Sequence, residues 1–180
     1  MKTVATMLAV ALAAAFAAAQ PARTVAVAPF WDLSTDGALV DADRLNVELS
    51  SLLAATGRFR VVSAHLVAHA MRSLGSFPAQ LFHPARAREV REAVGADWLV
   101  VGRWTHLAST ADGEFDAGLP RRGGGGAVAV LDVWVWERAN PRPRYEATFD
   151  AFRPAVLGTL SLKDAAEEVL RKAAAALGRL

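Results

Sequence analysis

Two kinds of connection divide this chain, and together they leave few folds open. Up to Gly95 each strand-like run is followed by a helix-like one, and strands joined through a helix pair in parallel by a right-handed crossover. Beyond Asp97 the strand-like runs follow one another, the last two joined by the short turn Ala139-Asn140-Pro141-Arg142, which suits only antiparallel neighbours. The order reads β-α-β-α-α-β-β-β-α. It predicts an α/β fold with a single mixed sheet, parallel then antiparallel, of about five strands packed by about four helices.

The individual runs carry the usual signals. Thr24-Val-Ala-Val-Ala-Pro-Phe30 is apolar without alternation and is stopped by Pro29, as a strand buried on both faces would be. Val40 to Thr56 spaces Leu45, Leu49, Leu52 and Leu53 for a helix, with Asp41 and Asp43 at its start and Gly57 at its end. Arg58 to Val62 reads as strand two. Ser63 can cap a helix from Ala64 to Leu74, with Leu66, Val67, Ala70, Met71 and Leu74 turned inward. Pro84 and Gly95 bracket a charged helix from Ala85 to Val94 whose main apolar contacts are Val90 and Val94. Strands follow at Asp97 to Trp104, Ala127 to Glu137 and Arg144 to Phe152, with residues 105–126 between the first two read as a mobile loop ending in four glycines. Ser161 and Asp164 form a capping box for a closing helix that carries Leu162, Ala166, Val169, Leu170, Ala173 and Leu177 and stops at Gly178.

The first 20 residues have a basic start, an apolar run and small residues in the order of a secretory signal peptide, with cleavage expected after Ala19. The run from Val4 to Ala19 falls short of the roughly 20 residues of a spanning helix. Residues 1–19 are therefore read as signal and 20–180 as one domain. No Cys is present, so neither a lipid-modified cleavage site nor a disulfide is expected. Those features predict an exported protein, periplasmic or secreted, soluble after cleavage and without stable membrane insertion. A formal charge of +2 is too small an excess to imply nucleic acid as a partner.

Candidate chemistry is sparse. His65 and His69 share a helix face at zinc-binding spacing, but Leu66 stands where a zinc hydrolase has its general base, and neither His83 nor His106 is spaced as a third ligand. Asp112, Glu114 and Asp116 alternate like the start of a calcium loop, yet Ala117 and Gly123 occupy positions that need Gly and Glu. No nucleophile elbow, phosphate-binding loop or dinucleotide fingerprint occurs. The expectation is no enzyme, no catalytic residue, no cofactor and no metal. Asp32 and Asp36, at the end of strand one, form a candidate ligand loop. On strands four and five, alternation puts Ala129, Leu131, Val133, Val135, Tyr145, Ala147 and Phe149 on a core face. Asp132, Trp134 and Trp136 fall on the other, with Glu146, Thr148 and Asp150. Asp132, Trp134 and Trp136 are the candidate protein interface, because Trp is enriched among residues that dominate binding; a covering helix or loop over the rings is the competing reading.

Val25-Ala-Val-Ala-Pro-Phe30, Gly57-Arg-Phe-Arg-Val-Val62, Val94-Gly-Ala-Asp-Trp-Leu-Val-Val-Gly102 and Val130-Leu-Asp-Val-Trp-Val135 occur in an order that resembles a bacterial envelope superfamily. It comprises the CsgG-like curli secretion-channel family, the TolB amino-terminal domain and the lipoprotein activators of penicillin-binding proteins. The resemblance covers nearly the whole chain after the signal. It implies a small periplasmic α/β domain that works by protein contacts, with no catalytic residues to carry over. The chain lacks the lipid-bearing Cys of several relatives and the amphipathic hairpins from which a membrane barrel is built. An adaptor or assembly module that contacts an envelope protein or itself follows as the leading expectation. A module for a small ligand or wall polymer is the alternative, and a hydrolase with an unrecognised site the second.

Overall fold

In the computed structural model, residues 22–34, 41–110, 126–138, 140–154 and 162–180 are described. β1 (Arg23–Val27) is the apolar run expected of an inner strand, and it lies between two parallel neighbours. On one side is β3 (Phe59–Val61), paired as Thr24 with Arg60; on the other is β4 (Trp98–Thr110), paired as Ala26 with Leu99. Pro29 cannot donate to a ladder, so β1 stops, and the chain rejoins β4 two residues later as the short β2 (Trp31–Asp32). This small strand makes six where about five were expected. β5 (Gly126–Glu137) and β6 (Tyr145–Pro154) extend the sheet antiparallel beyond β4, giving the order β3-β1-β4-β5-β6.

Helices cover both faces. α1 (Ala42–Ala55), capped by the Asp41 carboxylate on the Arg44 N–H, and α4 (Leu162–Leu177) lie on one side. There Leu45, Leu49, Leu53, Val169, Leu170 and Leu177 pack on Val25, Trp98, Trp104, Leu131 and Val133. α2 (Ala64–Ser73), a 3₁₀ turn (Pro78–Phe82) and α3 (Pro84–Ala93) lie on the other, where Val67, Met71, Leu81 and Val90 meet Ala26, Leu99, Val101 and Trp136.

Two expectations need correction. Leu66 and Leu74 do not point inward: Leu66 is 56% exposed and Leu74 is exposed as well. α2 is wide enough at its contact with the sheet to bury only the i, i+4 pair Val67 and Met71. Residues 105–110, read as part of a loop, continue β4. The register shifts between Trp104 and His106, so the extra residue of this bulge reverses the alternation beyond it. Leu107 thereby joins Trp104 on the core face. Residues 111–125, with the calcium-like sequence and three of the four glycines, lie outside the described residues, as does Ser161 of the capping box.

Candidate interaction surface

The sheet face beneath α2 and α3 is covered only in part, and what remains collects aromatic rings. Trp134 of β5 is half-buried, with the Phe82 ring edge-on to it at 4.8 Å between centroids and 87° between planes. Phe82 is held there because Pro78 starts the 3₁₀ turn and Leu81 anchors it in the core. Trp31 of β2 stands 5.8 Å from Phe82 on its other side. Arg103 of β4 spreads its guanidinium 5.3 Å from the Trp134 centroid and 5.7 Å from that of Phe82, a cation–π arrangement.

The same guanidinium donates to Asp132 Oδ2 at 2.7 Å, and Thr148 Oγ1 donates to Asp132 Oδ1 at 2.7 Å. Asp132 is thus engaged on both oxygens and fixes the arginine, which in turn lies against the rings. Beside them on β6, Glu146, Thr148 and Asp150 are exposed. Three ordered rings and an oriented guanidinium are of the residue types enriched at binding hot spots.

Trp136 does not belong to this surface. It is 5% exposed and packs with Val67, Met71 and Leu81, whereas Trp134 meets Phe82 and stays half-buried. Asp32, proposed for a ligand loop, spends its carboxylate locally: Oδ1 accepts from the Ser34 N–H at 2.8 Å and the Ser34 hydroxyl at 2.5 Å. Asp36 lies outside the described residues. His65 and His69 are both exposed. His69 lines a groove of about 350 Å³ between α2 and α3 with Leu66, Ala70, Leu74 and Val94.

Sequence reasoning missed Phe82 and Arg103. The arginine was legible in principle, since its position in an otherwise apolar strand demands a carboxylate neighbour, and the register supplies Asp132 directly opposite. Phe82 was not, because it reaches the sheet through a 3₁₀ turn that has no periodic signature.

A second cluster sits at the far end of the same strands. Trp98, fully buried, has the Arg23 guanidinium 4.6 Å and the Arg144 guanidinium 5.3 Å from its ring centroid. Its indole N–H donates to Glu137 Oε1 at 3.3 Å, and Arg144 donates to Glu137 Oε2 at 3.0 Å. Burial pushes the Glu137 carboxyl up, but the hydrogen bonds from Arg144 and Trp98 and the charges of Arg144 and Arg23 outweigh it, leaving the group below its ordinary range. A carboxyl held low when folded lends stability that is complete above the unfolded value and is lost as pH falls through the folded one. Below about pH 5, therefore, urea midpoints should fall more steeply for the parent than for Glu137→Gln. Parallel acid limbs would show that Glu137 contributes nothing.

Neither a protein-family model nor a curated protein matches the sequence. Solved structures do resemble it. The hypothetical protein CT253 from Chlamydia trachomatis superposes with a TM-score of 0.60 at 14% identity, over 88% of this chain and 96% of that one. The C-terminal domain of LpoB from Salmonella enterica gives 0.51 at 14%, over 72% and 82%. Lipoprotein GNA1162 from Neisseria meningitidis gives 0.52 at 14%, over 85% and 99%. At such identities the likeness is one of fold alone. The comparisons supply no support for the CsgG-like and TolB names in particular.

Proposed function

We propose that this chain is an exported, non-catalytic domain of the bacterial cell envelope that acts as an adaptor, gripping another envelope protein through the Trp31–Phe82–Trp134 surface. The observation that carries this reading is the ordering of those rings by Arg103, Asp132 and Thr148 on a face left open by the helices. A binding surface whose side chains are already fixed loses little conformational entropy on association. Export is supported by the leading apolar segment, and the envelope by the likeness to a lipoprotein. No helix among the described residues is long and apolar enough to cross a membrane.

The partner surface should offer apolar groups for the rings and basic groups for Glu146 and Asp150. Trp134→Ala should weaken binding by about 2 kcal/mol, roughly thirtyfold in Kd, while unfolding stays cooperative. The test is to capture a partner from envelope extract with the parent protein, then titrate it against Trp134→Ala and Thr148→Arg with thermal unfolding on the same samples. Equal affinity for all three would place the interface elsewhere, whereas a loss of affinity that merely follows a loss of folding would make Trp134 a packing residue.

A further inference from the structure

The near-neutral charge of the chain hides a strong local asymmetry. At the end of the sheet where β1 begins, arginines project from every long strand or its adjoining turn except β4: Arg23 on β1, Arg58 and Arg60 at β3, and Arg138, Arg142 and Arg144 around the β5–β6 turn. Arg179 joins them, because α4 ends at this same place: the Arg58 guanidinium donates to the Gly178 carbonyl. All of these arginines are exposed. Among the described residues, the carboxylates on the same strand ends are Asp97, which accepts from the Thr24 N–H, Glu137, clamped by Trp98 and Arg144, and Glu146, one position into β6.

The arginines fall into two groups. Arg23, Arg58, Arg60 and Arg144 are tethered, respectively to the Trp98 ring, the Gly178 carbonyl, Thr24 Oγ1, and Trp98 with Glu137. Arg138, Arg142 and Arg179 have no side-chain partner among the described residues. The tethered set gives a fixed positive rim, and the free set can reach beyond it.

We infer that this rim docks the domain on a membrane surface rich in anionic phospholipid. Its extent argues against a small anion. Strands lie about 4.8 Å apart, so a row from β3 to β6 is roughly 19 Å wide, a span that suits several headgroups in a plane. The course of the chain argues for a bilayer over a soluble polyanion. Until the signal is cleaved, only Gln20, Pro21 and Ala22 separate the apolar segment ending at Ala19 from Arg23, so during export this end of the domain is delivered next to the headgroups. A guanidinium suits phosphate because its planar fork donates two hydrogen bonds at once.

The test is cosedimentation of the exported protein with vesicles of phosphatidylglycerol mixed into phosphatidylcholine, against phosphatidylcholine alone. Binding should require the anionic lipid and fall with salt. Each of Arg138→Ala, Arg142→Ala and Arg179→Ala should lower partitioning about fivefold, the effect of one basic residue near such a surface. Arg44→Ala should change nothing: Arg44 is in the first turn of α1, whose 14 residues place it about 20 Å from the rim. Equal binding to both vesicle types, or a triple rim variant that binds like the parent, overturns the inference. So does binding that soluble polyphosphate reproduces while the anionic vesicles do not. Thermal unfolding of the triple variant, matched to the parent, separates lost binding from lost folding.

Discussion

Trp104→Ala should cost roughly 3–5 kcal/mol, the usual range for emptying a large buried aromatic site, and lower the melting temperature by on the order of 10 °C for a domain of this size. The indole is fully buried in the cluster that joins both long helices to the sheet, with Phe30 edge-on to it at 6.0 Å and 81°. Neighbours on a rigid sheet cannot collapse into the space it would leave, so the cavity adds to the lost transfer energy. Trp104→Phe should cost much less. It gives up area but also removes an indole N–H that has no acceptor among the described residues, and an unpaired buried donor is itself unfavourable by about 1–3 kcal/mol. Urea denaturation of both variants reads the difference directly. If the alanine and phenylalanine variants were equally unstable, the orphaned N–H would have no energetic weight.

Gly102→Ala should cost about 1–3 kcal/mol. A Cβ built there would lie 2.5 Å from Phe30 Cδ1 and 2.6 Å from Cε1, with Leu131 Cδ1 at 3.3 Å. The Phe30 ring has little room to move away, since Trp104 blocks one side. Glycine is therefore a matter of space here, letting the ring lie directly on the β4 backbone. The second change Phe30→Leu should return part of the lost stability, so that the double variant is more stable than the sum of the singles predicts. Strict additivity would mean that the two residues do not compete for the same volume.

The order of the elements was readable because each carries its own local signal. Asp41 and Ser63 cap α1 and α2 where the sequence places them, and the positive φ of Gly57 and Gly95 marks the exits of α1 and α3. The division of β5 and β6 into two faces was equally legible; the register itself, Leu131 opposite Phe149 and Trp134 opposite Glu146, came only with the structure. Other features depended on partners distant in sequence. β2 is a strand only because β4 runs far enough to meet it. The end of β4 looked like a loop because the bulge after Trp104 breaks the period on which such a reading relies. The fates of the two tryptophans diverged for a similar reason. Trp134 and Trp136 are equivalent in any alternation pattern, and only the helices packed over Trp136 separate a core residue from a half-buried one.

On the proposal that the chain is exported, the position of β1 also bears on how it reaches its folded form. β1 emerges early but sits between β3 and β4, and its β4 partner comes more than 70 residues later, as with Val25 and Trp98. α4, whose Val169, Leu170 and Ala173 complete the core over the sheet, comes last of all. Passage through a translocation channel requires an extended chain, and a fold closed by its final helix keeps the earlier segments from locking prematurely. Non-local pairing of this kind slows folding in a test tube; for a protein that must first be threaded across a membrane, the same delay keeps it fit for transport.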